Sequence, residues 1–259
     1  MKSLYLYIHI PYCHHKCPYC DFNTYVESGI PQEEYAQALL AELDYYWNRP
    51  EWENRPIRTI YFGGGTPSLF DIKIFKRLFY SLSTRFKVTD DFEITLEANP
   101  NDLGLEKLQE LVQLEVNRLS IGAQSFSIGT LRQLGRTHSP EDIERGVENA
   151  RKAGFKNLSL YLIFGAPEQT LDLFRDDVER LLSLDPEHAS LYSLSVEKGT
   201  EFFTRQGKGK LKLPNQDHVA EMMDFAVDVL PKRGLQRYEV SNFAKPGFES
   251  KHNSAYWDG

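Results

Sequence analysis

A chain of 259 residues with 41% hydrophobic and 26% charged residues has the make-up of a globular protein large enough for one α/β domain, and no apolar run approaches a membrane span. A formal charge of -7, with no basic stripe beyond Lys208, Lys210 and Lys212 in a solvated turn, argues against nucleic-acid binding. The first ten residues alternate as a strand does, unlike a signal peptide. Three thiols of odd number suit a reducing compartment, so the expectation is a cytoplasmic protein.

In chain order, a strand is predicted over about 3 to 10, where Tyr5, Tyr7 and His9 alternate with Leu4, Leu6, Ile8 and Ile10. Pro31 opens a helix marked by Tyr35, Leu39 and Leu43. Ile57 to Phe62 is a β-rich run that breaks into Gly63-Gly64-Gly65-Thr66-Pro67, followed by a helix with Phe75, Leu78, Phe79, Leu82 and Phe86 on one face. The beat recurs in Phe92 to Glu97 before a helix near 104 to 115, and in Arg118 to Gly122 before helical segments from 127 to 153. It recurs again in Leu158 to Phe164 before a helix near 170 to 184, and in Ala189 to Leu194. After that sixth strand, a loop with Gly207 and Gly209 leads to a helix near 216 to 231. A further strand is expected from Gln236 to Val240, and Ala244-Lys245-Pro246-Gly247 begins an irregular C-terminal tail.

Six βα units imply an α/β fold with a parallel sheet, right-handed crossovers and outer helices. Six units are fewer than a closed eight-unit barrel, so the expectation is a partial (β/α)6 TIM-type barrel over residues 1–235, open to one side, with a C-terminal extension over 236–259. Chemistry should collect at the C-terminal ends of the strands.

All three cysteines lie in Cys13-His14-His15-Lys16-Cys17-Pro18-Tyr19-Cys20, too close and too odd in number to pair as disulfides. Two prosthetic groups suit the loop: a zinc ion completed by His9, His14 or His15, or a [4Fe-4S] cluster with one iron lacking a protein ligand. The spacing favours the cluster, because zinc ligands usually come as two separated pairs and no later cysteine closes a tetrahedron. Idle buried thiols are the bland alternative, disfavoured by thiol reactivity. The glycine triplet exposes backbone groups to a ligand's amino or carboxylate group, or else simply makes a tight strand-to-helix turn. It is not a P-loop, since no Gly-Lys-Ser/Thr follows. Glu97 suits ribose hydroxyls, Gln124 offers donor and acceptor, and Arg136 suits a carboxylate. Each is equally readable as a locally satisfied polar side chain.

Tyr7-Ile8-His9-Ile10-Pro11-Tyr12-Cys13, the Cys-x3-Cys-x2-Cys loop and Gly63-Gly64-Gly65-Thr66-Pro67 together resemble the radical S-adenosylmethionine (SAM) superfamily, in its coproporphyrinogen-oxidase-like branch. Leu96-Glu97-Ala98-Asn99-Pro100, Ser120-Ile121-Gly122-Ala123-Gln124-Ser125-Phe126, Arg136 and Phe164-Gly165-Ala166-Pro167-Glu168-Gln169-Thr170 extend the resemblance over nearly the whole chain. The branch holds oxygen-independent coproporphyrinogen III oxidases and haem chaperones. The oxidases carry a fourth cysteine two positions after the third and an N-terminal extension, whereas here Asp21 and Phe22 follow Cys20 and the first motif begins at Tyr7. His252-Asn253-Ser254-Ala255-Tyr256-Trp257 is similar to the chaperone signature His-Asn-x-x-Tyr-Trp.

The resemblance implies a [4Fe-4S] cluster on Cys13, Cys17 and Cys20, and SAM bound by Tyr7, Tyr19, Gly64, Gly65, Thr66, Glu97, Gln124 and Arg136. It implies haem as cargo, with His252 as candidate axial ligand and Tyr256 and Trp257 packing on the porphyrin. Expected partners are haem-accepting proteins and a reductant for the cluster, with no transmembrane segment and peripheral membrane contact left open. Coproporphyrinogen III oxidation is the competing reading, and radical cleavage of SAM is open in either. Two departures stand out: Tyr161 occupies a position where the family usually has Asp, and the chain stops two residues after Trp257, where relatives continue into a smaller domain. A truncated form is expected.

Overall fold

The computed structural model describes residues 2–258. Six parallel strands run in chain order across the main sheet: β1 (Leu4–Ile10), β4 (Ile57–Gly64), β5 (Val88–Ala98), β6 (Arg118–Gln124), β7 (Leu158–Phe164) and β8 (His188–Ser193). Two short strands, β2 (Tyr12–Cys13) and β3 (Tyr25–Val26), pair beside the cysteine loop. The helices are α1 (Gln32–Trp47), α2 (Ile72–Arg85), α3 (Leu105–Gln113), α4 (Ile128–Gln133), α5 (Pro140–Ala153), α6 (Leu171–Ser183), α7 (Glu201–Gly207) and α8 (Gln216–Lys232). Local chemistry sets several of their ends. Ser139 and Asp142 form a capping box around Pro140 at the start of α5, and Gly154 ends that helix in the left-handed conformation at φ 107°.

The six-unit partial barrel expected from the sequence is what forms, and the strand pattern explains its two faces. Phe62, Leu96, Leu119, Ile121, Leu160 and Leu162 are fully buried under the helices. Their alternating neighbours Tyr61, Thr95, Ser120 and Tyr161 belong to the other face of the sheet, the interior of the barrel. Apolar burial against the helices holds the fold together, while the interior is lined by a mixture of polar and aromatic side chains.

Beyond residue 235 the structure differs from the expected strand over Gln236 to Val240. Only β9 (Gln236–Arg237) forms there, and it pairs antiparallel with β10 (Asn242–Ala244), which itself runs antiparallel to β8. The side chain of Arg237 bonds to the carbonyls of Glu239 and Val240, which turns the chain into a hairpin. Residues 245–250 are irregular, and Lys251–Asp258 close as α9. The loop expected to carry Gly207 and Gly209 contains α7, capped by Thr200.

The glycine triplet seats the second strand on the first. A Cβ at Gly65 would lie 2.7 Å from the Tyr12 carbonyl oxygen and 2.8 Å from the Pro11 carbonyl carbon. The absence of that Cβ lets Gly65 N–H reach the Ile10 carbonyl at 2.7 Å and Thr66 N–H reach the Tyr12 carbonyl at 2.8 Å.

Candidate functional site

The cysteine loop lies over the C-terminal ends of the strands, where parallel-sheet geometry places chemistry. Two contacts pin it from the far side of the barrel. Phe202 N–H of α7 donates to the Pro18 carbonyl at 2.9 Å, and Gly135, at φ 66°, has Pro18 Cδ 2.5 Å from where its Cβ would be. Cys17 is buried, while Cys13 and Cys20 are half-buried. Burial pushes the Cys13 and Cys20 thiols up.

Donors are aimed at the sulfurs. Thr66 Oγ1–H points to Cys13 Sγ at 3.4 Å and Arg136 Nη1–H to Cys17 Sγ at 3.2 Å. Asn99 ties the two donors together: its Nδ2–H donates to Thr66 Oγ1 at 3.3 Å and its Oδ1 accepts from Arg136 Nη2. One hydrogen-bonded chain thus runs from Cys17 to Cys13 through Arg136 in the loop after α4, Asn99 after β5 and Thr66 after β4. Among the described residues, no three His, Cys, Asp or Glu side chains converge as a single metal ion requires. His9, one candidate fourth zinc ligand, is engaged elsewhere, with Nε2 3.0 Å from the Asn23 carbonyl and Nδ1 3.3 Å from the Tyr7 hydroxyl.

Below the loop a cavity of about 580 Å³ extends into the barrel, within the range of small-molecule sites. Cys13, Cys17 and Cys20 border it, as do Tyr7, Tyr19, Gly64, Gly65, Thr66, Glu97 and Arg136. Gln124 alone among the expected SAM residues does not border it. It is fully buried at the end of β6, held at φ 57°, with its amide against Gly122 and beside the Tyr161 hydroxyl. Glu97 accepts from Tyr61 O–H at 2.7 Å and Gly64 N–H at 3.3 Å. Burial pushes its carboxyl up, against the pull of those two donors. With Gly64, Gly65 and Thr66 N–H all donating within the protein, this turn offers a ligand carbonyl acceptors more than amide donors. Tyr161, on β7, borders the cavity with its ring edge-on to Tyr192.

At the opposite end the cavity is floored by the C-terminal segment. Glu93 of β5 accepts from Ser250 Oγ–H, Lys251 N–H and His252 N–H at 3.1 to 3.2 Å, satisfying the first amides of α9. His252 is 5% exposed. Its Nδ1 lies 2.7 Å from Thr59 Oγ1, whereas Nε2 is buried without a partner. Its ring packs on Tyr61 and edge-on against Tyr256. Tyr256 borders the cavity although mostly exposed, and Trp257 is exposed outside it. The sequence reading missed Arg118, His188, Tyr192 and Tyr238, all of which border the lower cavity. The signal for most of them was in plain view: Arg118-Leu-Ser-Ile-Gly and His188-Ala-Ser-Leu-Tyr alternate polar with apolar.

The model of the radical SAM superfamily matches residues 7–181. The chain therefore belongs to the radical SAM superfamily. Within it, the chain is 42% identical over 97% of its length to haem chaperone HemW of Lactococcus lactis and 44% identical over 99% to haem chaperone HemW of Bacillus subtilis. It covers 65% and 67% of those proteins, and so spans about two thirds of the length of the relatives it matches. Among solved structures, the radical SAM enzyme coproporphyrinogen III oxidase (HemN) of Escherichia coli superposes with a TM-score of 0.84 at 29% identity. That match covers 95% of this chain and 56% of the oxidase. The superfamily implies a [4Fe-4S] cluster and SAM. The donor set fits them: thiols around one cavity mouth with N–H and O–H donors on two of the sulfurs, and carbonyl acceptors beside them. No helix among the described residues is long and apolar enough to cross a membrane.

Proposed function

We propose that this chain is the cofactor-bearing part of a haem chaperone of the HemW kind, which binds haem in the barrel and passes it to acceptor proteins. The observation that carries the reading is the single cavity bordered at one end by all three cysteines and at the other by His252, whose Nε2 has no partner. Cys13, Cys17 and Cys20 would hold the cluster. Their crowding in one eight-residue loop suits a cluster better than a zinc ion, whose ligands usually come as two separated pairs. Tyr7, Tyr19, Gly64, Gly65, Thr66, Glu97 and Arg136 would line the SAM site, with Gln124 acting from behind through Tyr161. When bound, a reduced cluster and SAM supply one-electron chemistry at a sulfonium.

The protein's own groups do the rest. Thr66 and Arg136 stabilise negative charge on sulfur. Glu97, fixed by Tyr61 and Gly64, presents an acceptor to the cavity. The barrel wall excludes bulk water. His252 is the candidate axial ligand through Nε2, with Tyr256 beside it at the cavity's edge, while Trp257 stands outside the cavity and does not pack on a haem held there. Haem acceptors, a reductant and a cytoplasmic location complete the proposal, and residues 1–235 form its barrel with 236–259 as an extension.

The test is a haem titration of wild type and His252→Ala beside an anaerobic assay with coproporphyrinogen III, SAM and a reductant. Haem binding with axial ligation altered in the variant, and no more than trace protoporphyrinogen IX, is the expected result. Porphyrinogen turnover would instead support the oxidase reading, and ligation unchanged in His252→Ala would remove that residue from the haem site.

A further inference from the structure

The floor of the cavity holds a second group without a partner. Arg118 opens β6, borders the cavity and is 2% exposed. Among the described residues no hydrogen bond or ion pair reaches its guanidinium, and its Nε is fully buried and unpartnered. A guanidinium keeps its charge at any ordinary pH and carries five N–H donors in a planar fork. Burying it unpaired is costly, and buried charges in folded proteins are as a rule matched.

The acids near it are committed. Glu93 is occupied by Ser250 and the first amides of α9, and Glu97 by Tyr61 and Gly64. Neither approaches Arg118 within 4.0 Å. The neutral groups around it are paired among themselves: His188 Nδ1 with Ser159 Oγ at 2.8 Å, His188 Nε2 with Tyr238 Oη at 2.9 Å, and Ser190 with Asn242. A ring of mutually satisfied polar side chains therefore surrounds one cation that has no hydrogen-bond partner and meets the Glu97 charge only at a distance, and that cation faces the cavity.

We propose that Arg118 is the anchor for a ligand carboxylate in the lower chamber, about a barrel's depth away from the cluster loop and separate from Arg136. The planar fork matches a carboxylate bidentately, and its buried position makes that pair stronger than it is in bulk water. A porphyrin propionate is the carboxylate that the haem reading supplies. In that form the inference rests on that reading, whereas the anion site does not.

Haem and haem dimethyl ester, titrated into wild type, Arg118→Gln and Arg118→Lys, test the porphyrin form. Wild type is expected to prefer haem by about ten- to a hundredfold, the range of a charged hydrogen bond. Arg118→Gln should lose that preference through weaker haem binding while its affinity for the diester stays unchanged, and Arg118→Lys should keep part of it. An undiminished preference in Arg118→Gln overturns the inference.

If haem fails to bind wild type, the haem reading falls. The arginine is then judged on wild-type protein by the 15N-labelled Arg118 Nε–H resonance, assigned with Arg118→Lys. A saturable shift with propionate that neutral propionamide does not reproduce sustains a carboxylate site of other origin, and no shift with propionate ends it.

Discussion

Gly65→Ala is expected to lower stability by about 3 kcal/mol, the upper range for overpacking, and to cut iron incorporation on anaerobic reconstitution. The added methyl would meet the Tyr12 oxygen at 2.7 Å, the Pro11 carbonyl carbon at 2.8 Å and the Ile10 oxygen at 2.9 Å, all of them backbone atoms that cannot rotate away. Relief requires β1 and β4 to part just where the cysteine loop leaves β1, which weakens the Gly65 to Ile10 and Thr66 to Tyr12 hydrogen bonds and moves Cys13 relative to Thr66. Gly129→Ala is the control, because the nearest atom to its new methyl is a side-chain oxygen at 3.7 Å. Urea midpoints for the two variants, with iron and sulfide content of each, measure the effect. Equal midpoints for both would refute the close approach described for Gly65.

Stability is expected to fall by several kcal/mol between pH 6.5 and pH 4. Burial, reinforced by Arg136, pushes His138 down to about 4. Burial pushes His252 down to about 4, helped by Arg118 and opposed by Glu93. His188 is driven well below its ordinary value by burial and then by Arg118. The folded pKa of each is below the unfolded value, so in this window the unfolded chain binds more protons than the native one, and stability rises with pH. A drop from 6.5 to about 4 is worth roughly 3 kcal/mol per histidine at about 1.4 kcal/mol per unit. Asp177 acts in the opposite sense. Burial pushes its carboxyl up to about 6, so it favours the native state as pH falls and offsets about one histidine, and Glu97, also raised by burial, acts in the same direction. The net sign follows the three imidazoles. Denaturant midpoints at pH 7.5, 6, 5 and 4.5 test it, and a midpoint that stays flat or rises on acidification would contradict the burial of these rings.

The barrel was legible because each of its strands is a short apolar-rich run followed by a helical stripe. The cysteine spacing carried the candidate site, since no other thiols exist to compete. What stayed hidden depends on partners distant in sequence. The acceptor for the first amides of α9 is Glu93, 158 residues before Lys251, so nothing near His252-Asn253-Ser254-Ala255-Tyr256-Trp257 announces that its histidine turns inward. Trp257, of the same signature, lies outside the cavity. The expected strand at Gln236 to Val240 failed because Arg237 turns its side chain back onto the backbone. Tyr238, an apolar-looking position in that run, instead reaches His188. Arg118 escaped notice because a lone arginine at a strand's start normally reads as a solvated end. Only the three-dimensional count of its missing partners singles it out.

Mössbauer spectra of the anaerobically reconstituted protein, recorded with and without SAM alongside the Cys13, Cys17 and Cys20 triple serine variant, test the central claim most directly. The account predicts one [4Fe-4S] cluster per chain, a change at a single iron site when SAM is added, and no cluster in the variant, since these are the only three cysteines in the chain. A single tetrahedral zinc in place of the cluster, or a cluster that survives replacement of all three cysteines, would contradict it.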